Sequence, residues 1–290
     1  MTITGERASR IDPASEEWTD RYLRLLGVPR EAPSLAHLTA LIDAEFRAVP
    51  FENVTSLMRR GAIAEGPVPA VDLAQLLDNW QAKRGGGVCF ETVAMFRQLL
   101  TILGYQVRLC LAQISIPDGH QALLVTLDGA DWLVDVGTGS PVFRPIPLDR
   151  PDALTCGGVH FRFHADDDPR YWLQERLIDG EWKRSCRYDL GPATDEREAA
   201  AYQMHHTYGQ SWVVDTLRMV RWRDNVGYSV SGNELTTLSE SGKTTEIMSE
   251  PARYRQVVAD IFGVPDLPIV QAQTQRPTFA PTTPEPHDNS

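Results

Sequence analysis

Three side chains of this 290-residue sequence are of the types that acyl transfer needs: a thiol at Cys89, an imidazole at His120 and a carboxylate at Asp135. A thiolate attacks a carbonyl carbon, an imidazole holds or moves its proton, and a carboxylate fixes the ring that does so. Cys89 follows the run Lys83-Arg84-Gly85-Gly86-Gly87-Val88, and Val93, Phe96, Leu100 and Leu103 recur behind it at helical spacing. A cysteine in the first turn of a helix meets unpaired backbone N–H groups and the positive end of the helix dipole, which favour thiolate over thiol. The glycines let a backbone or a substrate come close.

His120 is set apart from the other histidines by Pro117-Asp118-Gly119, which places it where a loop enters a strand. Strand register then tests its relation to Asp135. A two-residue loop at Asp128-Gly129 sets Asp135 opposite Ala122, and one at Gly129-Ala130 sets it opposite Leu124. Either choice puts Asp135 on the face that carries His120, and the first makes the two diagonal neighbours. A three-residue loop separates them onto opposite faces. The adjacent pair His205-His206 fits a metal site less well, because neighbouring residues diverge in direction.

The elements that must position these groups can be read in three blocks. Trp18, Tyr22, Leu25 and Leu26 form one face of a helix from Ser15 to Gly27, and Ser34 caps a second helix that runs to Pro50. A third spans about 71–81 and a fourth opens at Cys89 and stops at Gly104, so residues 1–104 read as a helical bundle carrying the cysteine. The period changes to two from Tyr105, with hairpin signals at Asp128-Gly129 and Asp179-Gly180, so 105–205 reads as an antiparallel β-barrel closed by a short helix near 194–205. Residues 206–266 read as an α/β lid of four strands and a last helix capped by Ser249 and ended by Gly263 and Pro265. The tail, 267–290, is rich in Pro and Thr and is expected to be disordered. The fold class is therefore α+β.

Charge narrows the partners. Lys+Arg number 28 against 39 Asp+Glu, a formal net charge of −11, and no dense basic run is present to track a phosphate backbone, which argues against nucleic acid. No apolar stretch has the length of a membrane span, and the polar N-terminal segment lacks a signal-peptide core, so a cytoplasmic protein without a membrane partner is expected. The four cysteines, Cys89, Cys110, Cys156 and Cys186, form no CxxC pair and are expected to be free thiols with no metal.

The ordered motifs Val49-Pro50-Phe51-Glu52-Asn53, the Arg84 to Glu91 run, Gly119-His120, Val134-Asp135-Val136-Gly137-Thr138-Gly139 and the final Phe262-Gly263 resemble those of the arylamine N-acetyltransferases over roughly residues 15–266. The resemblance implies a helical bundle, a β-barrel and an α/β lid, with the reactive groups where the first two meet. It implies that Cys89 is the nucleophile, His120 its partner and Asp135 the group that fixes the imidazole. Acetyl-CoA, or another acyl-CoA, would be the co-substrate, a small-molecule amine the acceptor, and no cofactor would be held permanently. Thr138, Gly139 and Ser140 would approach the donor's pyrophosphate, and Phe51, Val88 and Thr138 would line the acceptor site.

Three departures from the family pattern touch this site. Gly85, Gly86, Gly87 and Val88 stand between Arg84 and Cys89 where the family has two glycines and a bulky residue, which displaces Arg84 from pairing with Glu52. Val93 stands where the family commonly has Asn. Thr138 replaces an aromatic, which removes a stacking surface and points to an acceptor other than an aniline. Two alternative enzymes share the residues: an amide synthase of the same fold fed by an acyl carrier protein, and a cysteine hydrolase. A non-catalytic binding domain is the third alternative.

Overall fold

The computed structural model describes residues 16–274. The first block holds α1 (Glu16–Leu26), α2 (Leu35–Ala48), a two-residue strand β1 (Phe51–Glu52), α3 (Val54–Gly61), α4 (Leu73–Gln81) and α5 (Cys89–Ile102). Local chemistry explains the boundaries. Ser34 Oγ accepts the His37 N–H to start α2, Asp72 Oδ1 accepts from Ala74 and Gln75 to start α4, and Gly27 ends α1 with a positive φ of 70°. Ser15, the expected start of α1, lies outside the described residues.

The strands that follow are β2 (Gln106–Gln113), β3 (His120–Leu127), β4 (Ala130–Val134), β5 (Ile146–Pro147), β6 (Asp152–Cys156), β7 (Val159–Ala165), β8 (Tyr171–Ile178) and β9 (Glu181–Asp189). They form one antiparallel sheet in the order β5-β4-β3-β2-β9-β8-β7-β6, curled into a nearly closed barrel. The pleat divides each strand between two cores. Leu123 and Val125 of β3 pack with the helices, while Ala122 and Leu124 face the interior with Phe161, Phe163, Trp172 and Tyr188. The β3–β4 loop is the two-residue Asp128-Gly129, with φ 52° and 79°, so Leu127 pairs with Ala130 and Leu123 with Val134. One more step along that register sets Asp135 opposite Ala122.

The last block comprises α6 (Asp195–His205), α7 (Trp212–Asp215), β10 (Arg218–Arg223), β11 (Val226–Ser231), β12 (Glu234–Ser239), β13 (Gly242–Ile247), α8 (Pro251–Asp260) and α9 (Ile269–Thr274). A second antiparallel sheet runs β1-β10-β11-β12-β13, so a strand from the helical segment forms its edge. Its core joins Val54, Leu57 and Val88 to Met219, Tyr254, Val258 and Phe262. No helix among the described residues is long and apolar enough to cross a membrane.

Two expectations need correction. The residue that caps α8 is Glu250, not Ser249, because Pro251, with its fixed φ and missing N–H, takes the first helical position. The chain from 267 to 273 is not a loose tail: Leu267, Ile269 and Ala272 are buried against the C-terminal core and α9 packs on α8 and α3. The rest of the expected tail, 275–290, lies outside the described residues.

Candidate active site

Cys89 is the first residue of α5, and the glycine run is what brings it there. Gly87 forms a parallel bridge with Phe51, and the Glu52 N–H donates to Gly87 O at 3.1 Å. A Cβ on Gly86 would stand 1.8 Å from Pro50 O, so no larger residue fits this crossing of two backbones. The buried Glu52 carboxylate accepts from Gly86 N–H at 2.9 Å and from the Thr55 N–H and hydroxyl at 3.0 and 2.9 Å. Burial pushes its pKa up, and these bonds partly oppose that. Arg84 is exposed, so Glu52 is satisfied without it.

The start of α5 is held by a different ion pair. Glu91 Oε2 accepts from Val88 N–H at 3.0 Å, closing the first turn, and Glu91 Oε1 accepts from Arg59 Nη1 at 2.5 Å. Burial would raise the Glu91 pKa, but the charge and hydrogen bond of Arg59, with the Val88 N–H, hold it below the usual carboxylate value. His206 Nδ1 lies 2.9 Å from Tyr202 O, which places its proton there and turns Nε2 to Arg59 at 3.5 Å. His205 contacts the Ser211 hydroxyl at 2.9 Å and the Phe90 ring at 4.6 Å between centroids. Burial lowers the pKa of both histidines, that of His205 to about 4. These side chains are packed apart, and no group of three or more His, Cys, Asp or Glu among the described residues can hold a metal ion.

His120 and Asp135 meet inside the sheet. His120 Nε2 lies 2.8 Å from Asp135 Oδ2, and both side chains are 2 % exposed. The same Oδ2 accepts from the Tyr188 hydroxyl at 2.7 Å, and Oδ1 accepts from Gly137 N–H at 2.9 Å, so the carboxylate is fully engaged. The Gln174 amide lies 2.7 Å from the other side of the Tyr188 oxygen. Burial pulls the His120 pKa down, but the charge and hydrogen bond of Asp135, joined by a hydrogen bond to Cys89, raise it to about 10. With Nε2 given to Asp135, Nδ1 is the ring nitrogen left for the sulfur. Gly137 completes the approach: a Cβ there would lie 2.7 Å from the Cys89 Cβ.

The remaining predicted residues fall in two places. Phe51 lies on β1 with its ring 6.1 Å from that of Trp212, and Gly139, with φ 69°, packs against Phe51 and Val220 while its carbonyl accepts from Trp222 Nε1 at 2.9 Å. Thr138 Oγ1 accepts the Ser140 N–H at 3.0 Å, so that donor is already used within the turn. Val88 is 1 % exposed and packs with Val213 and Met219 in the C-terminal core, which turns its side chain away from Cys89. Cys110 and Cys186 lie buried in the barrel, where burial pushes their thiols up. Sequence reasoning missed Tyr188 and Arg59. Tyr188 is signalled by its place on β9, but its contact with Asp135 depends on β9 pairing with β2.

A helical block, an antiparallel barrel and a second sheet surround the buried Cys89, His120 and Asp135. A family profile described as N-acetyltransferase matches residues 34–267. The chain belongs to the arylamine N-acetyltransferase family, as a divergent member. It is 25% identical over 198 residues to the arylamine N-acetyltransferase / N-hydroxyarylamine O-acetyltransferase of Salmonella typhimurium, covering 66% of this chain and 65% of that protein. The crystal structure of Nocardia farcinica arylamine N-acetyltransferase superposes with a TM-score of 0.77 at 25% identity, covering 92% of this chain and 96% of the other. The Mycobacterium marinum arylamine N-acetyltransferase in complex with CoA gives 0.75 at 21% identity, covering 89% and 96%.

Proposed function

We propose that the protein moves an acetyl group from coenzyme A to an amine through a thioester on Cys89. In the first half-reaction the Cys89 thiolate adds to the thioester carbonyl of acetyl-CoA, and the tetrahedral oxyanion collapses with loss of the CoA thiolate, which takes a proton from His120. In the second, the amine adds to the acetyl-cysteine carbonyl, His120 takes the amine proton, and Cys89 leaves as thiolate. The observation that carries this reading is the bond from His120 Nε2 to Asp135 at 2.8 Å, with Tyr188 and Gly137 fixing the same carboxylate. A carboxylate held on three sides cannot rotate away, so the imidazole keeps one orientation toward the sulfur. The CoA complex of the Mycobacterium marinum relative supports the donor. Thr138 in place of an aromatic gives the acceptor site less stacking surface, which favours amines that do not depend on a face-to-face ring contact.

Intact-mass analysis tests this directly. Acetyl-CoA without acceptor should add one acetyl group to the wild-type chain and none to Cys89→Ala, and an added amine should remove it as amide. Absence of the adduct, or release of the acetyl group as free acid with amine present, overturns the reading.

A further inference from the structure

Arg218 opens β10 two residues from Val220, the register partner of Phe51. Phe51 and Val220 both crowd Gly139, at 3.3 and 3.0 Å from where its Cβ would stand, so this face of the sheet is turned to the segment that follows Asp135. The side-chain period of two puts Arg218 on the same face, while Met219 between them is buried with Val88. Asn53 fixes the strand end: its N–H donates to Arg218 O at 3.1 Å and its Oδ1 accepts from Arg218 N–H at 2.7 Å. Phe51 bridges Gly87 in parallel and pairs with Val220, so the chain that leads into Cys89 and the start of β10 lie toward the same end of the sheet.

The Arg218 guanidinium stands over the Trp212 ring, with Cζ 5.2 Å from its centroid. Its Nε is buried without a hydrogen-bond partner, and no carboxylate pairs with it among the described residues. Arg221 also has a buried Nε without a partner, but the terminal nitrogens of its neighbours on the strand are bonded. Arg221 donates to the carbonyls of Phe262 and Arg47, and Arg223 to that of Asp260, so both tie β10 to other elements. Arg218 ties nothing. Arg218 is partly buried, and an arginine stacked on an aromatic ring presents its donors in the fork that matches a carboxylate or phosphate.

We infer that Arg218 and Trp212 form an anion subsite beside Cys89, taking a carboxylate or phosphate oxygen of a bound substrate while Trp212 and Phe51 flank its apolar part. This deepens the acetyl-transfer reading and rests on it. The anion belongs either to the acceptor amine or to the CoA donor, and two matched pairs of probes separate these sources. Calorimetric binding to the full chain would use an aminobenzoate with its neutral aminobenzamide, and CoA with pantetheine. The wild type should prefer the charged member of one pair by about ten-fold or more, and that pair names the source. Arg218→Gln should abolish the preference and leave the affinity for the neutral member unchanged; Arg218→Lys, which keeps the charge but not the fork, should retain part of it. A wild type without charge preference in either pair, or an Arg218→Gln variant that weakens charged and neutral members equally, overturns the subsite. Binding is read without turnover, so failure of Cys89 acetylation sinks the catalytic reading separately.

Discussion

Arg197 grips Asp118 through two parallel hydrogen bonds, Nε to Oδ2 at 2.7 Å and Nη2 to Oδ1 at 2.5 Å. Asp118, with φ 56°, lies two residues before His120 in the turn that delivers it. The third donor of Arg197, Nη1, reaches Asp189 Oδ2 at 2.8 Å, next in the chain to the Tyr188 that holds Asp135. One guanidinium therefore braces the approaches to both His120 and Asp135.

Arg197→Met should slow acetylation of Cys89 about ten-fold, equivalent to roughly 1.4 kcal/mol of barrier. Arg197→Lys should fall between, since an ammonium cannot make the paired contact. The measurement is the single-turnover rate of acetyl-CoA consumption at fixed pH, read beside far-UV circular dichroism. Wild-type rates in Arg197→Met would remove the brace from the account.

The His120–Asp135 pair makes a stability prediction with a definite sign. Burial pulls the His120 pKa down, but Asp135 and Cys89 raise it from 6.5 to about 10. A group whose folded pKa is raised contributes stability that is complete below pH 6.5 and is lost as the pH climbs to 10. The Tm of the wild type should therefore decline across that window relative to Asp135→Asn, in which the raising charge is gone. Parallel pH profiles for the two proteins would show that Asp135 does not hold the proton on His120.

Much of this site was legible because the decisive constraints are local. The Asp128-Gly129 turn alone sets the register that brings Asp135 diagonal to His120, and the glycine run followed by helical periodicity puts Cys89 on the first turn of α5. What could not be read depends on distant pairings. Tyr188 meets Asp135 because Tyr188 pairs with Ala112 across β2 and β9, and nothing in either strand's own pattern states which strands adjoin. The short α3 escaped for a related reason: Val54 and Leu57 are buried by the C-terminal sheet, a surface contributed from far along the chain. The tail boundary was set too early because Leu267 and Ile269 find that same core.

The pairing of Arg59 with Glu91 offers a second test of what holds α5 in place. Glu91 is fully buried and Arg59 partly so, with side-chain exposures of 0% and 23%. Arg59→Met would leave the carboxylate buried without its partner and should cost about 3 kcal/mol in urea unfolding. Arg59→Met combined with Glu91→Gln should recover most of that, because the amide still accepts from Val88 N–H without a charge. Equal losses in the single and double variants would show that the pair contributes packing alone.

Glu45 carries the last prediction, and its sign is the opposite of an ordinary carboxylate. It is buried on α2, where Oε2 accepts from the Tyr22 hydroxyl at 2.7 Å and Oε1 has no hydrogen-bond partner. Burial raises its pKa from 4.5 to about 8, and the Tyr22 bond only partly opposes this. The protonated form is thus the one the fold favours. Its contribution to stability is complete below pH 4.5 and fades as the pH rises toward 8. Glu45→Gln keeps an acceptor for Tyr22 and cannot ionise, so it should match the wild type near pH 4.5 and exceed it by about 2 kcal/mol or more at pH 8 to 9. Denaturant unfolding of the two proteins at both pH values decides the matter. A variant that is less stable than the wild type at pH 9 would mean that Glu45 is charged in the fold, with its negative charge compensated.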